Sequence, residues 1–404
     1  MSRSPRSVHF NRPTLVGNEL HYLRQAVASM HTSGNGPFTA RCRAILKREL
    51  GAAEVLLTPS CTHALEMVAL LLEVEHGDEV IIPSFGFVSI ANAFALRGAR
   101  PIFVDVRPDT LNLDERRLEE RISAQTRGVV VLHYGGVGCE MEAIGKICRR
   151  RGVVLIEDNA HGLFGRWRGF PLGSFGALTT VSFHETKNVT CGEGGALVIN
   201  DASFAERAEI MRDKGTDRQH FFRGEVDKYT WVDLGSSFAL SDLLAAFLYA
   251  QLETRRAIAS RRRVFWQRYD RAFRGRLERY GVALPVVPSD CETTHHIYHL
   301  VLPSLEIRQR LILHLASHGI EAVFHYTPLH LSRMGRRYGG QPGDCPVTEA
   351  VSDRLLRLPL HNAIEPADQT VVIRAVLQFF EGTLGRRARR ASQDVSKATT
   401  SRLR

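Results

Sequence analysis

No stretch of the chain approaches 18 uncharged apolar residues, so no membrane-spanning helix is expected. The opening residues, M-S-R-S-P-R-S-V-H-F-N, lack the apolar core of a secretory signal. No Cys-x-x-Cys pair occurs. The seven cysteines, at 42, 61, 139, 148, 191, 291 and 345, are scattered and odd in number. That argues against a disulfide frame and against a zinc site, and no metal is expected. It fits reduced thiols in a cytoplasmic protein. No internal repeat of fixed period is present, which excludes a solenoid.

What is present is a long, mixed chain. Its 404 residues are 44% hydrophobic, enough for a large core and for two or three domains. The net charge of +10 is unevenly spread. Residues 385–404 hold seven basic and one acidic side chain, which leaves +4 for the other 384 residues. This tail has almost no large apolar residues and is expected to be disordered. Two readings of it stand: a solvated tail, or a basic patch for nucleic acid. No aromatic interleaving or DNA-reading motif accompanies it, so a solvated tail is favoured and nucleic acid is not the expected partner.

From Asp78 onward, short apolar runs alternate with helical patterns. Strands are read at 79–84, 101–106, 128–134 and 153–157. Helices are read between them, including 114–124 and 139–151. Such βα repetition predicts an α/β fold with a mostly parallel sheet covered on both faces. Further helices are read at 201–213, 241–273, 306–318 and 366–382, and a strand at 296–302. The expected division is a large domain over 1–255, a smaller α+β domain over 256–384, and the tail.

The chemistry centres on T-T-V-S-F-H-E-T-K-N-V-T-C-G-E-G-G-A, Thr179 to Ala196. A β-branched run ends in Ser182. One lysine, Lys187, follows in a polar loop, and then come Gly192, Gly194 and Gly195. A lysine held deep in a cleft has its pKa lowered by desolvation, and its amine can form a Schiff base. Upstream, V-V-L-I-E-D-N-A-H (Val153 to His161) reads as a buried strand ending in Glu157 and Asp158. A carboxylate at the C-terminal end of a parallel strand faces the crevice where α/β ligands bind. Pyridoxal phosphate needs both groups: a Schiff-base lysine and a carboxylate for its ring nitrogen. A helix N-cap is the other reading of Asp158. Ser60, Cys61 and Thr62 open a helix after a short strand. They read either as a cap or as a phosphate cradle at the positive end of the helix dipole. Phe85 and Phe87, just past a strand end, are positioned either to stack on a flat ring or to fill the core.

Seven segments follow one another: C-T-H-A-L-E, P-S-F-G-F-V-S, F-V-D-V, E-D-N-A-H, S-F-H-E-T-K-N, G-E-G-G-A and Y-T-P-L-H. In this order and spacing the chain resembles the DegT/DnrJ/StrS family of nucleotide-sugar aminotransferases over roughly residues 8 to 382. Within that family its motifs are most similar to the branch that makes dTDP-4-amino-4,6-dideoxygalactose, a sugar of enterobacterial common antigen and related lipopolysaccharide glycans. The resemblance implies a fold-type I enzyme with pyridoxal 5'-phosphate as cofactor and L-glutamate as donor. It implies a 4-keto-6-deoxy nucleotide sugar, dTDP-linked, as acceptor, and a homodimer with shared sites. The same chemistry on a 3-keto or UDP-linked sugar, and a non-catalytic binding protein, are the alternatives.

By the same resemblance, Lys187 forms the Schiff base and moves the proton, and Asp158 binds the pyridinium nitrogen. His161 meets the ring hydroxyl and Phe87 stacks on the ring. Cys61, Thr62 and Ser182 hold the phosphate. Many members carry G-x-N-x-R in a loop that reaches the neighbouring subunit. Here the stretch is G-S-S-F-A, so Ser237 replaces the asparagine and Ala239 the arginine. The loop 214–231 and the segment F-H-Y-T-P-L-H are expected to face the nucleotide sugar through His325, Tyr326, His330, Arg218, Arg223 and Lys228.

Overall fold

Period-2 alternation builds the central layer. In the computed structural model, which describes residues 7–384, seven strands form one sheet. They are β1 (Glu54–Thr58), β2 (Glu79–Pro83), β3 (Arg100–Val104), β4 (Thr126–Leu132), β5 (Val154–Asp158), β6 (Leu178–Ser182) and β7 (Gly195–Ile199). Their order is β1-β7-β6-β5-β4-β2-β3. The β3-β2-β4-β5-β6 run is parallel, and β7 is antiparallel to both β6 and β1. Side chains alternate between two cores. Leu56, Ile82, Val130 and Ile156 point to one face, against the helices Cys61–Leu71 and Ser89–Ala95. Val55 and Leu57 point to the other, against the helices Pro37–Leu50 and Asp242–Glu253. Ile81, Val129, Val131 and Leu155 meet the helix Met141–Arg151 on that same side. Both faces are covered, which is why the strands read as continuous apolar runs.

A second core lies further along the chain. The helix Arg255–Phe273 presents Phe265, Trp266, Tyr269 and Phe273, a stripe at helical spacing. These pack on β8 (Tyr298–Val301) and β9 (Leu355–Leu358), an antiparallel pair. The helices Leu305–Ser317 and Pro366–Gln378 complete this cluster. Val8, near the N-terminus, bridges to Ile320 and joins the same cluster.

Three expected helices differ in form. The stretch 114–124 is two single 3-10 turns, Glu115–Arg117 and Glu119–Arg121. Its only large apolar residues, Leu118 and Ile122, pack on the core, and the Asp114 carboxylate accepts from both the backbone and the guanidinium of Arg116. The stretch 241–273 is two helices broken at Thr254, whose hydroxyl donates to the carbonyls of Ala250 and Gln251 in competition with the helical ladder. The last helix ends at Gln378 and continues as a π-helical turn. No helix among the described residues is long and apolar enough to cross a membrane. The expected disordered tail, 385–404, lies outside the described residues.

Candidate active site

β6 and β7 are antiparallel neighbours, so the chain between them must turn back over the strand ends. That return loop carries Lys187. Thr190 Oγ1 donates to the Phe183 carbonyl at 3.0 Å, and the Cys191 amide donates to the same oxygen. Asn188, next to the lysine, is held by the second core region. Its amide nitrogen donates to the Thr294 carbonyl at 2.9 Å and its oxygen lies 2.9 Å from His296 Nδ1. Asn362 Nδ2 donates to its carbonyl at 3.0 Å. The lysine amine is thereby placed in a cavity of about 730 Å³. Burial lowers its pKa, and the charge of Asp158 opposes that shift.

Glu157 and Asp158 close β5 and, as neighbours on a strand, face opposite ways. Asp158 turns into the cavity and accepts from the Ala160 amide at 3.0 Å. Burial raises its pKa, partly offset by that amide and by Lys187. Glu157 points away. It accepts from the amides of Gly173, Phe175 and Gly176 at 2.7–2.8 Å and meets His133 Nε2 at 2.8 Å. This second carboxylate braces the loop that follows β5 and takes no part in the cavity.

A helix N-terminus forms another wall. Ser60 caps the helix Cys61–Leu71 by accepting from the His63 amide, so the cap expected there is present. Cys61 and Thr62 also line the cavity, and Thr62 Oγ1 lies 2.8 Å from Ser89 Oγ. The approach of this helix to the sheet depends on Gly195. A Cβ there would lie 2.4–2.5 Å from the backbone of Ser60 and Cys61. Ser182 ends β6 on the same cavity.

Aromatic and imidazole rings cover the remaining side. His161 is buried, and its pKa is driven well down by desolvation. The Gly135 amide donates to its Nδ1 at 3.3 Å, which leaves the proton on Nε2, 3.3 Å from the Tyr326 hydroxyl. The Tyr326 ring lies parallel to His161, 8° apart. His325 stacks on Tyr326 at 3.6 Å and meets the Tyr134 hydroxyl at 2.8 Å. Phe87 lines the mouth with 57% of its surface open.

The cavity thus gathers Lys187, Asp158, His161 and Phe87 with Cys61, Thr62 and Ser182, and also His325 and Tyr326. Other expected residues lie elsewhere. His330 is a correction: it is 0% exposed and is spent on structure. The Ser84 hydroxyl accepts from the His330 amide and lies 2.6 Å from its Nδ1, while Nε2 meets Glu349 at 3.0 Å. This Ser-His-Glu arrangement has the form of a nucleophile relay, but Ser84 is also 0% exposed and no substrate reaches it. Arg218, Arg223 and Lys228 do not line the cavity of their own chain. Arg223 is paired with Glu209 and Glu225, and Arg218 lies over the rings of Phe222 and Tyr229. Ser237 is exposed and bridges to Asp213, also away from the cavity.

Among the lining residues that sequence reading missed are Arg357, His296 and Phe10. Arg357 alternates with the core residues Leu356 and Leu358 on β9, a signal that L-L-R-L-P-L carried. His296 and Phe10 had none, because partners far away in sequence bring them there.

A lysine amine, a buried carboxylate, an aromatic face and a helix N-terminus on one cavity are the set that pyridoxal phosphate requires. The sequence profile of the DegT/DnrJ/EryC1/StrS aminotransferase family matches residues 13–377. The chain belongs to this family. It is accordingly a pyridoxal-phosphate-dependent sugar aminotransferase acting on keto intermediates of nucleotide sugars. The dTDP-4-dehydro-2,3,6-trideoxy-D-glucose 4-aminotransferase of Saccharopolyspora spinosa is 32% identical over 374 residues, 90% of this chain and 94% of that protein. The spore coat polysaccharide biosynthesis protein SpsC of Bacillus subtilis is 28% identical over 381 residues, 92% of this chain and 97% of that one. The crystal structure of the aminotransferase TlmJ from Streptoalloteichus hindustanus superposes with a TM-score of 0.85 at 32% identity, covering 93% of this chain and all of that chain.

Proposed function

We propose that the protein transfers the amino group of L-glutamate to C4 of a dTDP-linked 4-keto-6-deoxyhexose, giving the 4-amino sugar for a surface glycan. The observation that carries the chemistry is the meeting of Lys187 and Asp158 in one cavity. The relative from Saccharopolyspora spinosa supports the 4-keto, dTDP-linked acceptor, and SpsC supports a polysaccharide destination. In this reading Asp158 holds the cofactor's ring nitrogen, Phe87 covers its ring, and His161 meets its ring hydroxyl. The helix N-terminus at Cys61 and Thr62, with Ser182, takes the phosphate. Bound there, the cofactor supplies an electron sink for cleavage of the bond to hydrogen at the amine-bearing carbon.

Lys187 then takes a proton at that carbon and returns one to the cofactor side. Its lowered pKa keeps more of the amine unprotonated and able to accept. His325 and Tyr326 border the space left for the sugar. The protein acts in the cytoplasm as a homodimer, with Ser237 and the basic loop of one subunit serving the partner's cavity.

The test uses purified protein reconstituted with pyridoxal phosphate. Glutamate should convert its long-wavelength absorption to that of the amine form. Subsequent addition of dTDP-4-keto-6-deoxyglucose should restore the first spectrum and yield a product whose amine is placed at C4 by NMR. Restoration only by a UDP-linked or 3-keto sugar would reject the proposed acceptor while keeping the chemistry.

A further inference from the structure

We propose that His296 accepts a hydrogen bond from the sugar hydroxyl next to the reacting carbon, and so selects acceptors that carry it. The inference rests on the transaminase reading with a 4-keto sugar. The Thr294 carbonyl can only accept. Asn188 Nδ2 donates to it at 2.9 Å, so the Asn188 oxygen is the atom that lies 2.9 Å from His296 Nδ1. That oxygen accepts too. Nδ1 therefore carries the imidazole proton, and Nε2 keeps a lone pair. Nε2 has no partner among the described residues and is not one of their sealed, unsatisfied atoms, so it opens on the cavity that His296 lines.

The backbone is bent to put the ring there. His295 takes a φ of +53°, a left-handed conformation that few residues other than glycine adopt. Buried Arg262 holds this turn. Its Nε donates to the His295 carbonyl at 3.2 Å, its Nη2 to the His296 carbonyl, and its Nη1 to Asn362 Oδ1 at 3.2 Å. Backbone strain that the surroundings enforce clusters at functional sites. His161 lies against His296, with ring centres 4.3 Å apart, and has the opposite polarity. Its Nε2 carries the proton and donates, whereas Nε2 of His296 accepts. Burial drives the His296 pKa well down, so the ring stays neutral.

A neutral acceptor suits a neutral donor. The amino donor brings carboxylates, which a lone pair repels, and an ammonium, whose proton so weak a base does not hold. The sugar brings hydroxyls. His296 is bonded to the residue beside Lys187, so the hydroxyl that meets it is one near the reacting carbon. Two carbons flank C4. In a 6-deoxyhexose C5 bears the ring oxygen and the methyl group, and C3 bears the hydroxyl. The 3-hydroxyl is therefore the group that His296 reads.

The experiment compares wild-type holoenzyme with His296→Asn and His296→Gln. Calorimetry gives the Kd of dTDP-6-deoxyglucose, which has no keto group and does not react, and of its 3-deoxy analogue. Absorption follows the glutamate half-reaction and the half-reactions with dTDP-4-keto-6-deoxyglucose and its own 3-deoxy analogue. Wild type should favour the 3-hydroxy sugar about 10- to 100-fold in both measurements, because the analogue leaves a buried acceptor unpaired. His296→Asn keeps an amide for Asn188 but offers nothing to the cavity. It should cut that preference to within about threefold and move the glutamate dependence less. His296→Gln, with an oxygen able to take the Nε2 position, should retain part of the preference. Wild type that treats the two sugars alike would overturn the proposal, whether or not the variants fold. So would a preference that survives in His296→Asn, or a loss in that variant shared equally by both sugars and glutamate, which would leave His296 only to place Lys187. Wild type that glutamate converts but that takes neither sugar would refute the 4-keto acceptor, and the assignment to C3 with it.

Discussion

Two polar loops look alike in the sequence and differ entirely in the fold. One, residues 183–194, returns the chain between β6 and β7 and carries Lys187. The other, residues 214–237, carries Arg218, Arg223, Lys228 and Ser237. The first is pinned at both ends by paired strands and from above by Asn188, which bonds to residues more than a hundred positions away. The second lies on the surface, with Trp231 75% exposed and Phe222 60% exposed. Arg223 is paired with Glu225 in the loop and with Glu209 on its supporting helix. A loop between adjacent strands of a covered sheet has its direction fixed by the ladder. A loop after a helix has no such constraint, and its residue types alone do not say what it faces.

The sharpest way to break that contrast is Lys187→Ala. It should lower the rate of glutamate-driven spectral conversion roughly a thousandfold, since it removes both the nucleophile and the base. A loss under tenfold would remove the first loop from the chemistry. Asp158→Asn should cost about a hundredfold in the same assay, with the fold retained by circular dichroism.

Glu157→Gln separates the two carboxylates of β5. Burial raises the Glu157 pKa, but the His133 bond and charge and the amides of Gly176 and Gly173 outweigh it, so the net shift is downward. A depressed carboxylate contributes stability that is fully present above its unfolded value of 4.5 and is lost as pH falls through its lower folded value. The variant should lose roughly 2–3 kcal/mol at pH 7. Its urea midpoint should then fall less steeply than that of wild type below pH 4.5. Parallel profiles would deny the ionised Glu157 that role.

His325 and His330 carry the comparison into one short segment. His330→Ala should cost about 1–3 kcal/mol of stability, because Ser84 and Glu349 lose a buried partner, while the KM for the sugar holds. His325→Ala should raise that KM with a smaller loss of stability. The reverse result would return His330 to the site.

The pair also marks how far the sequence was legible. Strand ends were readable, because apolar runs and terminal polar residues locate them. Lys187, Asp158 and Ser182 all sit at or just past such ends. The order of strands around β7 was not readable, since β1 meets it from a distant part of the chain. His330 misled because its motif continues from His325 and Tyr326, whereas the chain turns through Pro328 and buries it. Arg357 went unread because its alternation with Leu356 and Leu358 on β9 does not say that it lines the cavity beside Lys187.

The smallest effect is expected from the exposed loop. Replacing Arg218, Arg223 and Lys228 together by Ala should change stability by no more than about 0.5 kcal/mol, as solvent screens these pairs. If the loop serves a partner's cavity, the triple variant should raise the KM for the nucleotide sugar about tenfold. Mixing it with Lys187→Ala after dissociation and reassociation should then recover wild-type KM in the mixed dimers. Each such dimer holds one site with an intact lysine on one subunit and an intact loop from the other. Recovery requires that the loop act across the interface. A KM that stays raised in the mixture would mean that it acts on its own chain, and an unchanged KM in the triple variant would make it surface alone.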